Sequence, residues 1–295
     1  MDFRENGRAI GAMMLAMAGF ILNDTMVKLT SDSLPLGQII FVRGLISGAL
    51  LAIACAATGV LRAVPRVIHP SVCLRTIGEV TATLLYLTAL FQLPLANATA
   101  ILQSLPLVVT AGAALFFRDA VGWRRWTAIL VGFAGVVLIV RPGLAGFNSF
   151  SLFALAGVLF MALRDLATRR IPTAIPTLAV ALATTAAVTL MGGTMTLVKG
   201  WVPMTAGSWL YLTVAAGFIM VGYVFIIAAM RAGDISVVAP FRYSIVLWAI
   251  VLGFLVWGDI PDAMTIAGTL VVVLTGIYTF FRERRLRHAG PVRDS

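Results

Sequence analysis

The stretch Leu36–Thr58 reads LGQIIFVRGLISGALLAIACAAT, a continuous apolar run in which Arg43 is the one charged residue. A helix that crosses a bilayer needs about 20 mostly apolar residues, so this stretch predicts a membrane span. Similar runs recur along the chain and predict ten spans in all. They are Ala9–Leu29, Leu36–Thr58, Ser71–Phe91, Ala96–Phe117, Trp126–Val140, Ser149–Thr168, Pro176–Val198, Ser208–Arg231, Ser236–Trp257 and Ala263–Phe281. The runs are continuous rather than alternating, which predicts helices and not a β-barrel.

The composition leads to the same class of protein. Of 295 residues, 60% are hydrophobic and 12% are charged, whereas soluble domains carry about 25% charged residues. A globule of 31.4 kDa cannot hide this much apolar surface from water. The sequence therefore predicts an all-α integral membrane protein.

Positive charges predict the orientation of the spans. The net charge is +10, and most arginines lie in alternate gaps between spans and in the tail, which indicates membrane orientation rather than binding to nucleic acid. The opposite gaps hold Lys28, Arg141 and Lys199. We expect both termini in the cytoplasm and a multi-pass protein of the inner (plasma) membrane. The charged start, Met1–Arg8, is followed by an apolar run that is too long for a signal peptide. We therefore interpret this run as the first span.

The two halves of the sequence look related. Asn23-Asp24-x-x-x-Lys28 aligns with Arg164-Asp165-x-x-x-Arg169, and at a nearly equal offset Ser104 aligns with Ser244. Five spans per half require the second half to enter the membrane from the opposite side, which is an inverted repeat typical of secondary transporters. The predicted organisation is a first repeat at 1–143, a second at 144–285 and a cytoplasmic tail at 286–295.

A recurring motif closes each half. Its first copy consists of Ala89-Leu90, Pro106, Phe117-Arg118-Asp119, Gly132 and Gly135, and its second of Ala229-Met230, Trp257-Gly258-Asp259, Gly268 and Gly276. With its two five-span halves, the chain resembles the EamA-type ten-helix exporters of the drug/metabolite transporter superfamily. That family usually has Gly-Glu where this chain has Arg118-Asp119 and Gly258-Asp259.

The resemblance implies a secondary transporter that exports small metabolites by alternating access through a central cavity. It implies amino acids and similar compounds as substrates, and we favour amino acids, including aromatic ones. Nucleosides, purines or cationic drugs are the alternative. An intramembrane enzyme and a non-transporting assembly protein are the other classes to weigh.

The third span carries the first candidate site. Glu79, Thr83 and Tyr86 lie on one helical face, and a carboxylate in mid-span is costly unless it is paired or faces water. This stripe predicts a cavity wall that binds a substrate ammonium. The alternative is a structural ion pair of Glu79 with Arg43 or Arg242.

Two arginines are candidates for the other end of a substrate. Arg242 follows Pro240, and it either binds a substrate carboxylate or extends to the interface. Arg43 is the second candidate, with an equally weighted alternative in which it only holds the outer end of its span in place. The pairs Asn23-Asp24 and Arg164-Asp165 are expected near opposite faces, as matching gates or as interfacial ion pairs.

Further residues complete the predicted lining. Pro106 is expected to kink the fourth span, with Gln103 facing the cavity. The aromatic candidates are Phe160, Tyr223, Tyr243 and Trp248. Gly44-x-x-x-Gly48 permits close helix contact, within the bundle or in a dimer.

Several functions lack support in the sequence. There is no Walker A motif, and the two histidines, His69 and His288, lie in a loop and in the tail. Cys55 and Cys73 have no metal-ligand spacing and indicate no disulfide. We therefore expect no cofactor, no metal, no enzymatic activity and no nucleic-acid partner. The expected partners are a small-molecule substrate and the lipid bilayer, with the chain a monomer or a weak homodimer.

Overall fold

The computed structural model describes residues 3–118, 122–144, 147–232 and 238–288, which are helical and contain no strand. The helices in these ranges are α1 (Phe3–Leu29), α2 (Leu36–Ala57), α3 (Pro70–Gln92), α4 (Leu95–Leu102), α5 (Leu105–Phe117), α6 (Trp123–Val140), α7 (Phe150–Thr168), α8 (Thr177–Lys199), α9 (Ala206–Ala232), α10 (Ser244–Trp257) and α11 (Ala263–His288). Two 3-10 helices, Val60–Val67 and Ala239–Tyr243, precede α3 and α10.

The helices of the described ranges form ten stretches long and apolar enough to cross a membrane, the number that the sequence predicts. Helices α4 and α5 together make one of them. Large apolar side chains such as Leu197 and Val198, each 87% exposed, lie on their outer faces. Such surfaces are stable in lipid and not in water. The chain is an all-α integral membrane protein.

The predicted boundary of one span needs correction, and that of another falls on residues that the structure does not describe. The fifth span begins at Trp123 rather than Trp126, because Arg124 and Arg125 form part of its first turn and Arg125 is buried. The predicted start of the ninth span, Ser236, lies outside the described residues, and the described helical part begins at Ala239.

The chain folds into two compact units that do not follow the repeat boundary. The first unit comprises 1–18, 94–151 and 223–295, and the second comprises 19–93 and 152–222. Each unit takes helices from both sequence repeats. The repeat boundary at 143 stays a prediction, and each compact unit combines segments from both sides of it.

The second unit is built on close packing of α2 against α8. A Cβ atom added to Gly192 would lie 2.6 Å from the backbone nitrogen of Phe41, and one on Gly44 would collide with Thr189. A Cβ on Gly48 would meet Thr185 at 3.8 Å. Small residues therefore let the two helix backbones approach. Gly44-x-x-x-Gly48 packs inside the bundle, which was one of its two predicted roles.

The first unit uses the same device between α6 and α11. A Cβ on Gly135 would lie 2.9 Å from the carbonyl oxygen of Gly268. These two glycines belong to the two copies of the recurring motif. The motif glycines thus mark the sites where the last helices of the two repeats touch.

Polar side chains fix the ends of helices in each unit. In the second unit, Gln38 Nε2 donates to the carbonyl of Val202 at 2.8 Å, and the Val202 N–H donates back to Gln38 Oε1 at 3.0 Å. In the first unit, Asp262 caps α11 by accepting the Thr265 N–H at 2.8 Å, and Arg141 forms an ion pair with the same carboxylate.

Candidate functional site

The second unit gathers charged side chains inside the membrane-spanning helices. Asp24 lies on α1, Arg43 on α2, Glu79 on α3, and Arg164 and Asp165 on α7. Ionisable groups at this depth are costly, and they commonly line a substrate or ion pathway. They form two groups along α3.

The first group is a guanidinium shared by two carboxylates. Arg164 Nη1 lies 3.1 Å from Glu79 Oε2, and Arg164 Nε lies 2.8 Å from Asp165 Oδ1. The side chains of Arg164 and Glu79 are 22% and 26% exposed, so they are half-buried but still reachable. Glu79 therefore forms an ion pair with Arg164, a partner that the sequence analysis did not consider for it.

Two glycines bring α3 and α7 close enough for this pair. A Cβ on Gly78 would lie 3.0 Å from both the Arg164 nitrogen and the Phe160 carbonyl oxygen. A Cβ on Gly157 would lie 3.4 Å from the nitrogen of Tyr86. The helices thus touch backbone to backbone over about two turns. Sequence reasoning missed these glycines, although Gly78 directly precedes Glu79.

The second group surrounds Asp24. The Tyr86 hydroxyl donates to Asp24 Oδ2 at 3.1 Å, and Asn23 Nδ2 donates to Asp24 Oδ1 at 2.9 Å. Arg43 Nη1 donates to Asn23 Oδ1 at 3.3 Å. A hydrogen-bonded chain therefore links α2, α1 and α3.

The two groups lie close together along α3. Glu79 and Tyr86 are separated by two turns, which is about 10 Å of helical rise. This is a third of the hydrocarbon thickness. Thr83, between them on α3, and Phe160 of α7 are half-buried. A gating role for Asn23, Asp24, Arg164 and Asp165 stays a prediction.

Lys28 has a structural role that the sequence did not reveal. Its ammonium donates to the carbonyl of Leu90 at 2.9 Å and also to the carbonyl of Leu93. Leu90 lies in the last turn of α3 and Leu93 directly follows the helix, and at this end helices leave acceptors without an intrahelical donor. Lys28 therefore caps α3 from α1.

The remaining predicted residues belong to the first unit, where the fourth span, predicted to kink at Pro106, is divided into two helices. Helix α4 ends at Leu102 and α5 begins at Leu105, with Pro106 in the first turn of α5. Gln103, in the break, is half-buried. The Ser104 hydroxyl in the break donates to the carbonyl of Ile101 at 2.7 Å.

The ninth span has a related irregularity. Pro240, Arg242 and Tyr243 form the 3-10 helix before α10, and Arg242 is exposed. The Tyr243 ring covers Gly276 of α11, where any Cβ would collide with the phenol. Tyr223 on α9 is 51% exposed.

Three buried polar atoms near these breaks have no hydrogen-bond partner within the described part of the chain. They are Thr99 Oγ1 of α4 and, on α10, Ser244 Oγ and Trp248 Nε1. Sequence analysis singled out Trp248 and aligned Ser104 with Ser244, but it missed Thr99. A hydroxyl inside an apolar run is the signal that could have revealed it.

Comparisons with known proteins agree with this architecture. The model of the EamA-like transporter family matches twice, at residues 7–141 and 148–282. A solved structure titled "Crystal structure of protein" superposes with a TM-score of 0.63 at 21% identity, covering 94% of this chain and 98% of that one. Such a likeness concerns the fold alone.

The curated relatives are named for different substrates. The pseudopaline exporter of Pseudomonas aeruginosa (strain UCBPP-PA14) is 28% identical over 90% of this chain and 94% of its own length. The riboflavin transporter of Vibrio cholerae is 28% identical over 68% of each chain. The S-adenosylmethionine uptake transporter of Rickettsia conorii is 23% identical over 65% of each. With both halves matched by the family model, this chain belongs to the EamA-like transporter family.

Proposed function

We propose that this protein is a secondary transporter that exports small zwitterionic metabolites, with amino acids, including aromatic ones, as the favoured class. The family and its relatives support transport of small metabolites. Export follows the relative that matches over most of its length, the pseudopaline exporter. The named substrates of the relatives differ, so the substrate class is argued from the residues of this chain.

The half-buried ion pair between Glu79 and Arg164 carries the proposal. A zwitterion brings an ammonium for Glu79 and a carboxylate for Arg164, so it replaces one internal ion pair by two matched contacts. No charge is left unpaired in the exchange, which is the main energetic hazard of opening an ion pair inside a membrane protein. Arginine also suits bidentate binding of a carboxylate.

The aromatic preference is assigned to rings near this pair. Phe160 lies one turn before Arg164 on α7 and is half-buried. Tyr86 is 6% exposed, and its hydroxyl is bonded to Asp24. In this proposal Phe160 contacts the substrate side chain, while Tyr86 keeps α3 in position through its hydrogen bond to Asp24. Thr83 supplies a hydroxyl between them.

Residues of the first unit are second candidates. Arg242 is the alternative ligand for the substrate carboxylate, and Gln103, Tyr223, Tyr243 and Trp248 are candidates for polar and ring contacts. An Arg242→Ala variant with unchanged amino-acid transport would exclude Arg242 as the carboxylate ligand and leave Arg164 as the proposed one.

Export of nucleosides, purines or cationic drugs is the second candidate function. Its support is the charge of the two groups, in which three carboxylates, Asp24, Glu79 and Asp165, meet two guanidinium groups. The excess negative charge favours a cation. Such a substrate uses Glu79 but gains nothing from Arg164.

The test is transport in proteoliposomes that contain the purified protein. A panel of labelled amino acids, nucleosides and cationic dyes is offered with and without a proton gradient. Wild type, Glu79→Gln, Arg164→Gln and the charge-swapped double variant Glu79→Arg/Arg164→Glu are compared. The swapped variant keeps an ion pair between α3 and α7 and inverts what each position offers a substrate.

For a zwitterion, we expect amino-acid flux in wild type and loss of flux in all three variants, with folding retained by the swapped one. Full flux in the swapped variant would show that the pair is purely structural. Flux of a cation that survives Arg164→Gln would favour the second candidate function. No flux of any compound in wild type would contradict both.

A further inference from the structure

A groove on the first unit lies between α6 and α11, at the end where α6 begins. It is a shallow groove, open to its surroundings, with a volume of about 360 Å³. Its lining includes Trp123, Arg124, Thr127 and Val131 of α6 and Thr275 and Tyr278 of α11. We propose that this groove binds an anionic phospholipid, with the headgroup phosphate at Arg124 and an acyl chain along Val131.

The end of the groove formed by Trp123 and Arg124 has the side chains of a phosphate-binding site. The Arg124 guanidinium carbon lies 5.3 Å from the centre of the Trp123 ring, which is a cation–π arrangement. Among the described residues, Arg124 forms no ion pair with a carboxylate. Within the part of the chain that the structure describes, its guanidinium donors are available to an anion, and arginine is well suited to phosphate.

The aromatic side chains place this end at the membrane interface. Trp123 is 71% exposed and Tyr278 is 46% exposed. Exposed Trp and Tyr at span ends sit at the level of the lipid headgroups. The start of α6 adds a favourable field, because Gly122 has no side chain with which to cap its first N–H groups.

The other end of the groove, its floor, is formed by Val131 and Thr275 and is apolar. Val131, two turns below Arg124, is 52% exposed. The Thr275 hydroxyl already donates within α11, to the carbonyl of Val271 at 2.7 Å. The floor thus offers no free donor and suits an acyl chain.

The change from a basic end at Arg124 to an apolar floor distinguishes the proposed occupant from other ligands. A soluble anion would use the Arg124 end and leave the apolar floor empty. A zwitterionic lipid would fill the floor but carries a cation that offsets its phosphate. An anionic phospholipid matches both ends, since basic pockets between membrane helices suit anionic headgroups.

The experiment uses the full-length protein, purified in detergent and stripped of lipid. Binding is measured by thermal shift and by native mass spectrometry with dioleoyl phosphatidylglycerol, dioleoyl phosphatidylcholine or free glycerol 3-phosphate. Arg124→Gln removes the anion contact, and Val131→Trp fills the floor without changing the charge. Arg62→Gln is the matched control, because it removes an exposed arginine from the 3-10 helix Val60–Val67 of the other unit.

We expect wild type and Arg62→Gln to prefer phosphatidylglycerol over phosphatidylcholine. Arg124→Gln should bind phosphatidylglycerol about fivefold more weakly and lose the preference. Val131→Trp should weaken both lipids. An unchanged preference in Arg124→Gln, or equal binding of the two lipids by wild type, would overturn the proposal. Stabilisation by glycerol 3-phosphate as large as that by the lipid would assign the site to a free anion instead. If Val131→Trp fails to fold, the Arg124 comparison still decides.

Discussion

Glu79 of α3 and Arg164 of α7 form an ion pair, and Arg164 forms a second ion pair with Asp165. This asymmetry predicts unequal effects of removing either partner. Arg164→Gln leaves two neighbouring carboxylates without their shared cation, whereas Glu79→Gln leaves Arg164 paired with Asp165. We expect Arg164→Gln to lower the free energy of unfolding by about 1–3 kcal/mol, the cost of leaving a buried polar group unsatisfied, and Glu79→Gln by about half as much.

The measurement is the midpoint of thermal unfolding in detergent, with Arg118→Gln as the control for loss of an exposed positive charge. Arg118 follows α5 and is exposed. Equal destabilisation by the two single variants would contradict the shared arrangement.

The close contact of α3 with α7 predicts that Gly78 tolerates no side chain. A Cβ there would press on backbone atoms of Phe160 and Arg164, which cannot move aside as a side-chain end can. Gly78→Ala should cost about 1–3 kcal/mol of stability. Gly217 of α9 is exposed with nothing within 4 Å of its Cβ position, so Gly217→Ala should be neutral or slightly stabilising. A thermal-shift series with both variants checks this, and similar effects at the two glycines would refute the contact.

Hydropathy alone could predict the number of membrane spans and most of their ends, because a span of about 20 apolar residues is a local property. The interruption of the fourth span at Pro106 was also local, since proline removes a backbone donor at its own position. The start of the fifth span was predicted late because two adjacent arginines resemble a loop. Arg125 is nonetheless buried.

The partners of the site residues could not be predicted in the same way. Glu79 and Arg164 are 85 residues apart in the sequence, and their contact depends on which helices pack together. That packing is decided by Gly78 and Gly157, whose role appears only when α3 and α7 are placed side by side. Lys28 is a similar case, because its carbonyl partners are set by the end of α3.

The contact of Lys28 with the end of α3 predicts a stability effect that charge alone does not explain. Lys28→Met keeps the aliphatic stem but leaves the carbonyls of Leu90 and Leu93 without this donor. We expect a loss of about 1–3 kcal/mol, as for a hydrogen bond to a charged group. Lys28→Arg should recover part of it. Lys199→Met, at an exposed lysine, should have little effect. If Lys28→Met melts like wild type, the cap contributes nothing.

The cap of α11 predicts how stability depends on pH. The Thr265 N–H, followed by Arg141, lowers the pKa of Asp262 from its ordinary value. A carboxyl group whose pKa is lower in the folded state stabilises the fold above its unfolded pKa, about 3.9. This contribution disappears as the pH falls through the lower, folded value. Wild type should therefore lose thermal stability below about pH 4 more steeply than Asp262→Asn.

The effect at Asp262 should be small, because the side chain is 56% exposed and solvent screens the ion pair. Comparison of slopes is therefore more informative than any single melting temperature. Asp32→Asn serves as the control, since Asp32 is exposed and forms no ion pair among the described residues. Raising the salt concentration should weaken the Arg141 contribution and leave the Thr265 hydrogen bond. A slope in Asp262→Asn as steep as in wild type, with Asp32→Asn unchanged, would assign the acid sensitivity to other carboxylates and remove the cap as its cause.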